Sequence, residues 1–238
     1  MTALITLSHG SRHPGAQRGI KELTAHAAAD LGVPGWDSHL EFNSPDLLSA
    51  VDAAHAAGVE RAVVVPLLFT RAFHATHDVP AALAAAAARG VELHLAQGLG
   101  QGADIAELLA GRVAEGAHTI LYPVGTSHAQ AAAETTQLGQ QLSRLTGQGT
   151  TVVPATGKNG LRGNEGIEAV AKRHNAVHLV PLFVTEGLLL DKAMSALDAI
   201  AARTGASITA SPPLGVALSR IVAARHRATA VTFPPTER

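Results

Sequence analysis

The sequence contains no cysteine. That excludes disulfides, thiolate metal centres and a cysteine nucleophile. Aromatic residues are almost as scarce, at 3% of 238 residues, so alanine, leucine and valine must fill the core. No uninterrupted run of about 20 apolar residues occurs, which argues against a membrane-spanning helix. The first residues lack a basic stretch leading into a long apolar run, so no signal peptide is expected and the cytoplasm is the expected location. Neither sign of charge dominates, since the formal net charge is −1. Such a balance offers no strongly basic surface to nucleic acid or to an anionic membrane.

What the chain does contain is an ordinary globular composition, 47% hydrophobic and 16% charged, together with thirteen histidines. Its length suffices for one large core or two of roughly 100–150 residues. Short Val- and Leu-rich runs alternate with Ala-rich stretches of helical character. LITL (4–7), RAVVVPLLF (61–69) and VELHLA (91–96) read as strands. LTAHAAADL (23–31), LLSAVDAAHAAG (47–58) and VPAALAAAAARG (79–90) read as helices, the last two closed by glycine. Continuous apolar strands separated by helices predict a parallel sheet covered on both faces.

The pattern then returns in TILYPVG (119–125), NAVHLVPLFV (175–184) and ASITAS (206–211). Adding 115 to a position lands on its counterpart: Gly10 on Gly125, Pro66 on Pro181, Thr70 on Thr185, Gly90 on Gly205 and Gly100 on Gly215. Matched glycines and prolines at strand ends mark backbone positions with special φ/ψ needs. The predicted architecture is therefore α/β, with two homologous lobes, roughly 1–115 and 116–238.

Ligands of open parallel sheets bind beyond the carboxyl ends of the strands. In the first lobe that edge receives Ser8-His9-Gly10-Ser11-Arg12, the segment around Glu41, and Thr70-Arg71-Ala72-Phe73-His74 with His77 close behind. The topology thus brings His9, Glu41 and His74 to one edge although they are far apart in sequence. Imidazole suits borderline divalent cations such as Fe²⁺, Co²⁺, Ni²⁺ and Zn²⁺. A site with two or three ligands and open positions binds metal reversibly. The second lobe is an internal control: His9 becomes Val124, Glu41 becomes Thr156 and His74 becomes Leu189. The scaffold residues persist while all three polar groups vanish, which predicts one active site, in the first lobe.

The ordered motifs are His9-Gly10-Ser11-Arg12-His13-Pro14, Leu40-Glu41-Phe42-Asn43-Ser44-Pro45, and Pro66-Leu67 through His74-Ala75-Thr76-His77-Asp78-Val79-Pro80. Their succession resembles the sirohydrochlorin chelatases, whose longer members are two chelatase-type lobes in tandem. The resemblance implies insertion of Fe²⁺ or Co²⁺ into the tetrapyrrole sirohydrochlorin, in sirohaem or cobalamin synthesis, by a lyase with no resident cofactor. It implies His9 and His74 as metal ligands and Glu41 as a supporting carboxylate, with the second lobe forming the other wall of a cleft. Arg12 and Arg71 are candidates for pairing with substrate carboxylates, and Gly10 and Ser11 for letting the ring approach closely. His13 and His77 depart from the family pattern and are candidate accessory ligands. Tandem lobes imply a monomer with pseudo-two-fold symmetry.

Other readings are weaker. A metal-trafficking protein explains the histidines but not a second, histidine-poor lobe edge. A hydrolase using Ser11 and His9 lacks the Gly-x-Ser-x-Gly elbow. GKNGLRGNEG (157–166) lacks the P-loop arrangement and reads as a loop, with Lys158 and Arg162 as weak candidates for substrate contact. The remaining histidines, including His39, His118, His174, His178 and His226, are expected at the surface or against helices.

Overall fold

The computed structural model describes residues 2–70, 83–84, 89–157 and 160–232. Among these, eight strands form two four-stranded parallel sheets. The first contains β1 (Ala3–Ser8), β2 (Gly35–His39), β3 (Arg61–Pro66) and β4 (Glu92–Leu95), in the order β2-β1-β3-β4. The second contains β5 (His118–Pro123), β6 (Thr150–Val152), β7 (Ala176–Leu182) and β8 (Ser207–Ala210), in the order β6-β5-β7-β8.

The 115-residue offset is accurate to the residue. It carries β1 onto β5, β4 onto β8, and helix α1 (Pro14–Leu31) onto the later helix Ala129–Thr146. Glycines 10, 32, 90 and 100 adopt positive φ, as do their counterparts 125, 147, 205 and 215. The two sheets are copies of one backbone design.

The first sheet is apolar on one face, where Ile5, Leu7 and Val64 pack against Leu47, Ala50, Val51 and Ala54 of α2 (Leu47–Ala56). Fully burying each leucine, isoleucine or valine side chain here contributes about 1.5–3 kcal/mol. In the second unit the corresponding cluster joins Ile120, Val177 and Leu179 to Ile167 and Val170 of a helix at Gly163–Ala171. Tyr122, one of the few aromatics, lies in this cluster and stacks with Phe183.

Two features differ from the sequence expectations. Helix α1 begins at Pro14, nine residues before the expected LTAHAAADL, because Pro14 occupies its first turn and His13 caps it. The compact units also do not end at residue 115. One joins Met1–Gly100 to Gly215–Arg238, and the other is Gln101–Leu214. The last helix of each repeat therefore belongs to the unit built on the other repeat's sheet. That helix of the second repeat, Ser219–Ala230, is fastened to the first unit by its own side chains. Arg225 donates to the carbonyls of Gly98 and Leu99, His226 Nε2 to those of Thr2 and Ala3, and Arg227 to that of Asp30.

His39, His178 and His226 are buried, so of the two expected places, the surface or against helices, the surface is excluded for these three. Burial lowers the pKa of His178 and His226, and burial plus the stacked ring of His174 lowers that of His118. The unfolded chain, with ordinary imidazoles near pH 6.5, then binds protons more readily than the native one. Stability from these groups is complete at higher pH and is lost as pH falls below about 6.5, by at most about 1.4 kcal/mol per pH unit per group. Glu168, held at a pKa of about 2 by Arg203 and Lys172, acts in the same direction at lower pH. Urea midpoints should accordingly drop between about pH 8 and pH 5.5; a flat or rising midpoint on acidification contradicts this account.

Candidate functional site at the carboxyl edge of the first sheet

β1 and β2 run side by side and end together, with Ser8 opposite His39. Beyond them the ladder continues for two more bonds: Leu40 N–H donates to Ser8 O (2.9 Å) and Glu41 N–H to His9 O (3.0 Å). This places the backbones of His9 and Glu41 in contact, as the topology predicted. The chain then turns sharply. Asn43 N–H donates to Glu41 O (2.8 Å) across Phe42, whose φ is +65°. A three-residue turn with a positive-φ aromatic at its centre is rare and strained.

Gly10 is needed where the two segments meet. Its φ is +92°, and a Cβ there would stand 1.8 Å from the Glu41 carbonyl oxygen. The matching Gly125 has φ +99° and the same relation to Thr156, at 2.2 Å. The close approach is thus a property of the repeated backbone, onto which the first repeat alone adds an imidazole and a carboxylate.

The surface around His9 holds two more groups. The Phe42 ring meets the His9 ring edge to face, with centroids 6.1 Å apart and planes at 87°. The guanidinium of Arg12 lies over the same Phe42 ring at 4.8 Å, a cation–π distance. Phe42 is 53% exposed despite its size. Phe42 lies within the motif Leu40-Glu41-Phe42-Asn43-Ser44-Pro45, where no sequence signal marks a role for its ring. Its counterpart is Gly157, and that of Arg12 is Ser127. Arg12, Phe42, His9 and Glu41 together form a cationic, aromatic and basic patch absent from the second repeat.

Two sequence candidates have backbone duties. Ser11 Oγ accepts the His13 N–H (3.1 Å), and in the second repeat Thr126 Oγ1 accepts the His128 N–H at the same distance. The Ser11 hydroxyl therefore shapes a turn that both repeats require, and Ser11 N–H donates to Asn43 Oδ1 (2.7 Å). His13 caps α1, its Nδ1 accepting the Gly15 N–H at 3.0 Å. That nitrogen is committed to the helix, which places His13 as a capping residue at the edge of the site. His74, Arg71, His77 and Lys158 lie outside the described residues. Among the described residues no group of three or more His, Asp or Glu side chains is disposed to hold a metal ion. No described helix is long and apolar enough to cross a membrane.

The structure of SirB from Bacillus subtilis with Fe³⁺ superposes on 97% of this chain and 96% of its own, with a TM-score of 0.82 at 21% identity. The fold is the two-lobed chelatase fold. Residues 3–116 match the CbiX family model. Over 103 residues the chain is 31% identical to the sirohydrochlorin ferrochelatase of Bacillus subtilis, covering 43% of this chain and 40% of that protein. Over 76 residues it is 37% identical to the sirohydrochlorin cobaltochelatase of Sulfurisphaera tokodaii, covering 32% of this chain and 62% of that one. The matched stretches thus span less than two thirds of either relative. The resemblance to the CbiX family thus lies in the first repeat, a little under half of the chain.

Proposed function

We propose that the protein inserts a divalent metal, Fe²⁺ or Co²⁺, into sirohydrochlorin. One observation carries the reading furthest. The same tight junction of two strand ends occurs twice, and only the first copy bears His9, Glu41, Arg12 and Phe42. Proteins named as a sirohydrochlorin ferrochelatase and a sirohydrochlorin cobaltochelatase match parts of this chain.

In this reading the metal is a substrate, held by His9 and His74 with few enough ligands to be surrendered. Insertion exchanges two pyrrole N–H protons for one dication, so the ring's net charge is unchanged and two protons must be accepted. An imidazole of the pair takes one and solvent water the other, while Glu41 orients that imidazole or passes its proton to solvent. Arg12, steadied over Phe42, pairs with carboxylates at the ring edge, as does Arg71. Gly10 lets the macrocycle approach the backbone. The second repeat carries none of His9, Glu41, Arg12 and Phe42 at the matching positions. The protein acts as a cytoplasmic monomer, its two repeats within one chain, in sirohaem or cobalamin synthesis.

A metal carrier that never meets a tetrapyrrole is the competing outcome. Protein loaded with one equivalent of Co²⁺ and freed of excess metal is mixed with sirohydrochlorin. A chelatase moves the metal into the ring and shifts its absorption; a carrier leaves the spectrum unchanged.

A further inference from the structure

Beneath the site, on the α1 face of the first sheet, lies a buried polar chain. Ser8 Oγ and His39 Nδ1 are 2.7 Å apart, and His39 Nε2 lies 3.4 Å from Asp37 Oδ2. The His39 side chain is fully buried and that of Asp37 is 16% exposed. Deeper along the same face Thr6 and Thr24 join their hydroxyls. A buried imidazole needs partners for its nitrogens, and burying this chain is costly unless something is gained.

The second repeat shows what the scaffold alone requires. Ser8, His39 and Asp37 become Pro123, Pro154 and Val152, while Thr6 and Thr24 become Leu121 and Gly139. The backbone bonds at the strand ends survive unchanged there, from Ala155 N–H to Pro123 O (2.8 Å) and from Thr156 N–H to Val124 O (3.0 Å). Prolines stiffen those two positions by fixing φ. The first repeat cannot adopt that solution at residue 39. The His39 N–H donates to Pro45 O (3.0 Å), closing the loop that carries Glu41 and Phe42, and proline has no N–H. A side-chain hydrogen bond stiffens the same two positions and leaves that N–H in place.

We infer that Asp37, His39 and Ser8 form a positioning chain that fixes the strand end bearing His9 against the loop bearing Glu41. The Asp37 carboxylate lies 3.4 Å from Nε2 without a hydrogen bond to it. Its charge favours a proton on that nitrogen, which leaves Nδ1 to accept the Ser8 hydroxyl hydrogen. This role rests on the proposed chelatase reading for its consequence in turnover, and on the geometry alone for its consequence at His9.

The test uses three variants of the full chain. His39→Leu removes both contacts, His39→Asn keeps a polar group where Nδ1 faced Ser8, and Ser8→Ala removes the hydroxyl with the least change in volume. With His39→Leu, kcat for insertion is expected to fall about 10- to 100-fold, because sub-ångström misplacement of reacting groups carries such factors. KM for the tetrapyrrole stays within about threefold, since the residues that grip its edge are untouched. His39→Asn recovers most of the loss, and Ser8→Ala reproduces it if His39→Leu folds poorly. Independently of activity, ¹⁵N-histidine spectra of the metal-free protein should show the His9 signals displaced or broadened in His39→Leu and restored in His39→Asn. Unchanged His9 signals in His39→Leu, or equal behaviour of the Leu and Asn variants, overturns the inference. A wild-type protein that inserts no metal overturns the chelatase reading instead, and the His9 signals still decide the role of the chain.

Discussion

Replacing His9 by alanine is expected to lower the rate of metal insertion roughly 10²- to 10⁴-fold, the range that a lost acid–base or ligating group commands. The fold should survive, because the second repeat holds Val124 at the same position on the same backbone, with the same hydrogen bond from Thr156 N–H. His74→Ala carries the same expectation on the sequence motif alone. Glu41→Gln should cost less, roughly tenfold, since a carboxamide keeps the size of the side chain while losing its charge and basicity. Initial rates with Co²⁺ and sirohydrochlorin, read beside circular dichroism of each variant, check all three. Near-wild-type insertion by His9→Ala removes His9 from the chemistry.

Gly10→Ala should act through structure, with an expected destabilisation of roughly 2–4 kcal/mol. The new methyl group meets the Glu41 carbonyl oxygen at 1.8 Å, and φ is +92°. That obstacle is backbone, so it cannot swing aside as a flexible side chain does. The two strand ends must part, breaking the bond from Glu41 N–H to His9 O and displacing both groups. Gly125→Ala makes the parallel clash with Thr156 O at 2.2 Å and should lose comparable stability. The two variants separate in activity: folded Gly125→Ala retains insertion, whereas folded Gly10→Ala does not. Urea unfolding and insertion rates measured well below the transition distinguish them. A Gly10→Ala protein as stable and active as wild type contradicts the close approach.

The fold was legible because its signals are local and doubled. Short valine-rich runs such as RAVVVP favour buried strands, and glycines 115 residues apart mark positive-φ positions that both repeats share. Where local signal thins, the sequence reading fell short. Gly15, Gln17, Arg18 and Gly19 dilute the apolar periodicity at the start of α1, hiding its first nine residues. The exchange of terminal helices between units is set by tertiary contacts, such as Arg225 with the Gly98 and Leu99 carbonyls, that no local pattern encodes.

At the site, the meeting of the His9 and Glu41 segments was legible from topology, and the absence of both side chains from the second repeat from the lobe comparison. Phe42 was not, since nothing in LEFNSP announces a strained turn without glycine. His39 sits in WDSHL, which reads as an ordinary half-buried strand with its polar residues outward. Yet the offset that exposed His9 also exposes His39, because Pro154 replaces it, and Pro123 and Val152 replace its two partners. The repeat offset thus marks the buried chain as well as the exposed edge.

The central claim is that this protein catalyses metal insertion, rather than merely binding metal on a chelatase scaffold. The direct measurement is the initial rate of Co²⁺ and of Fe²⁺ insertion into sirohydrochlorin, followed by absorption under anaerobic conditions with substrate in large excess over protein. The account predicts multiple turnovers, a rate proportional to protein concentration, and clear acceleration over the protein-free reaction for at least one metal. A rate equal to that of the protein-free reaction for both metals contradicts it.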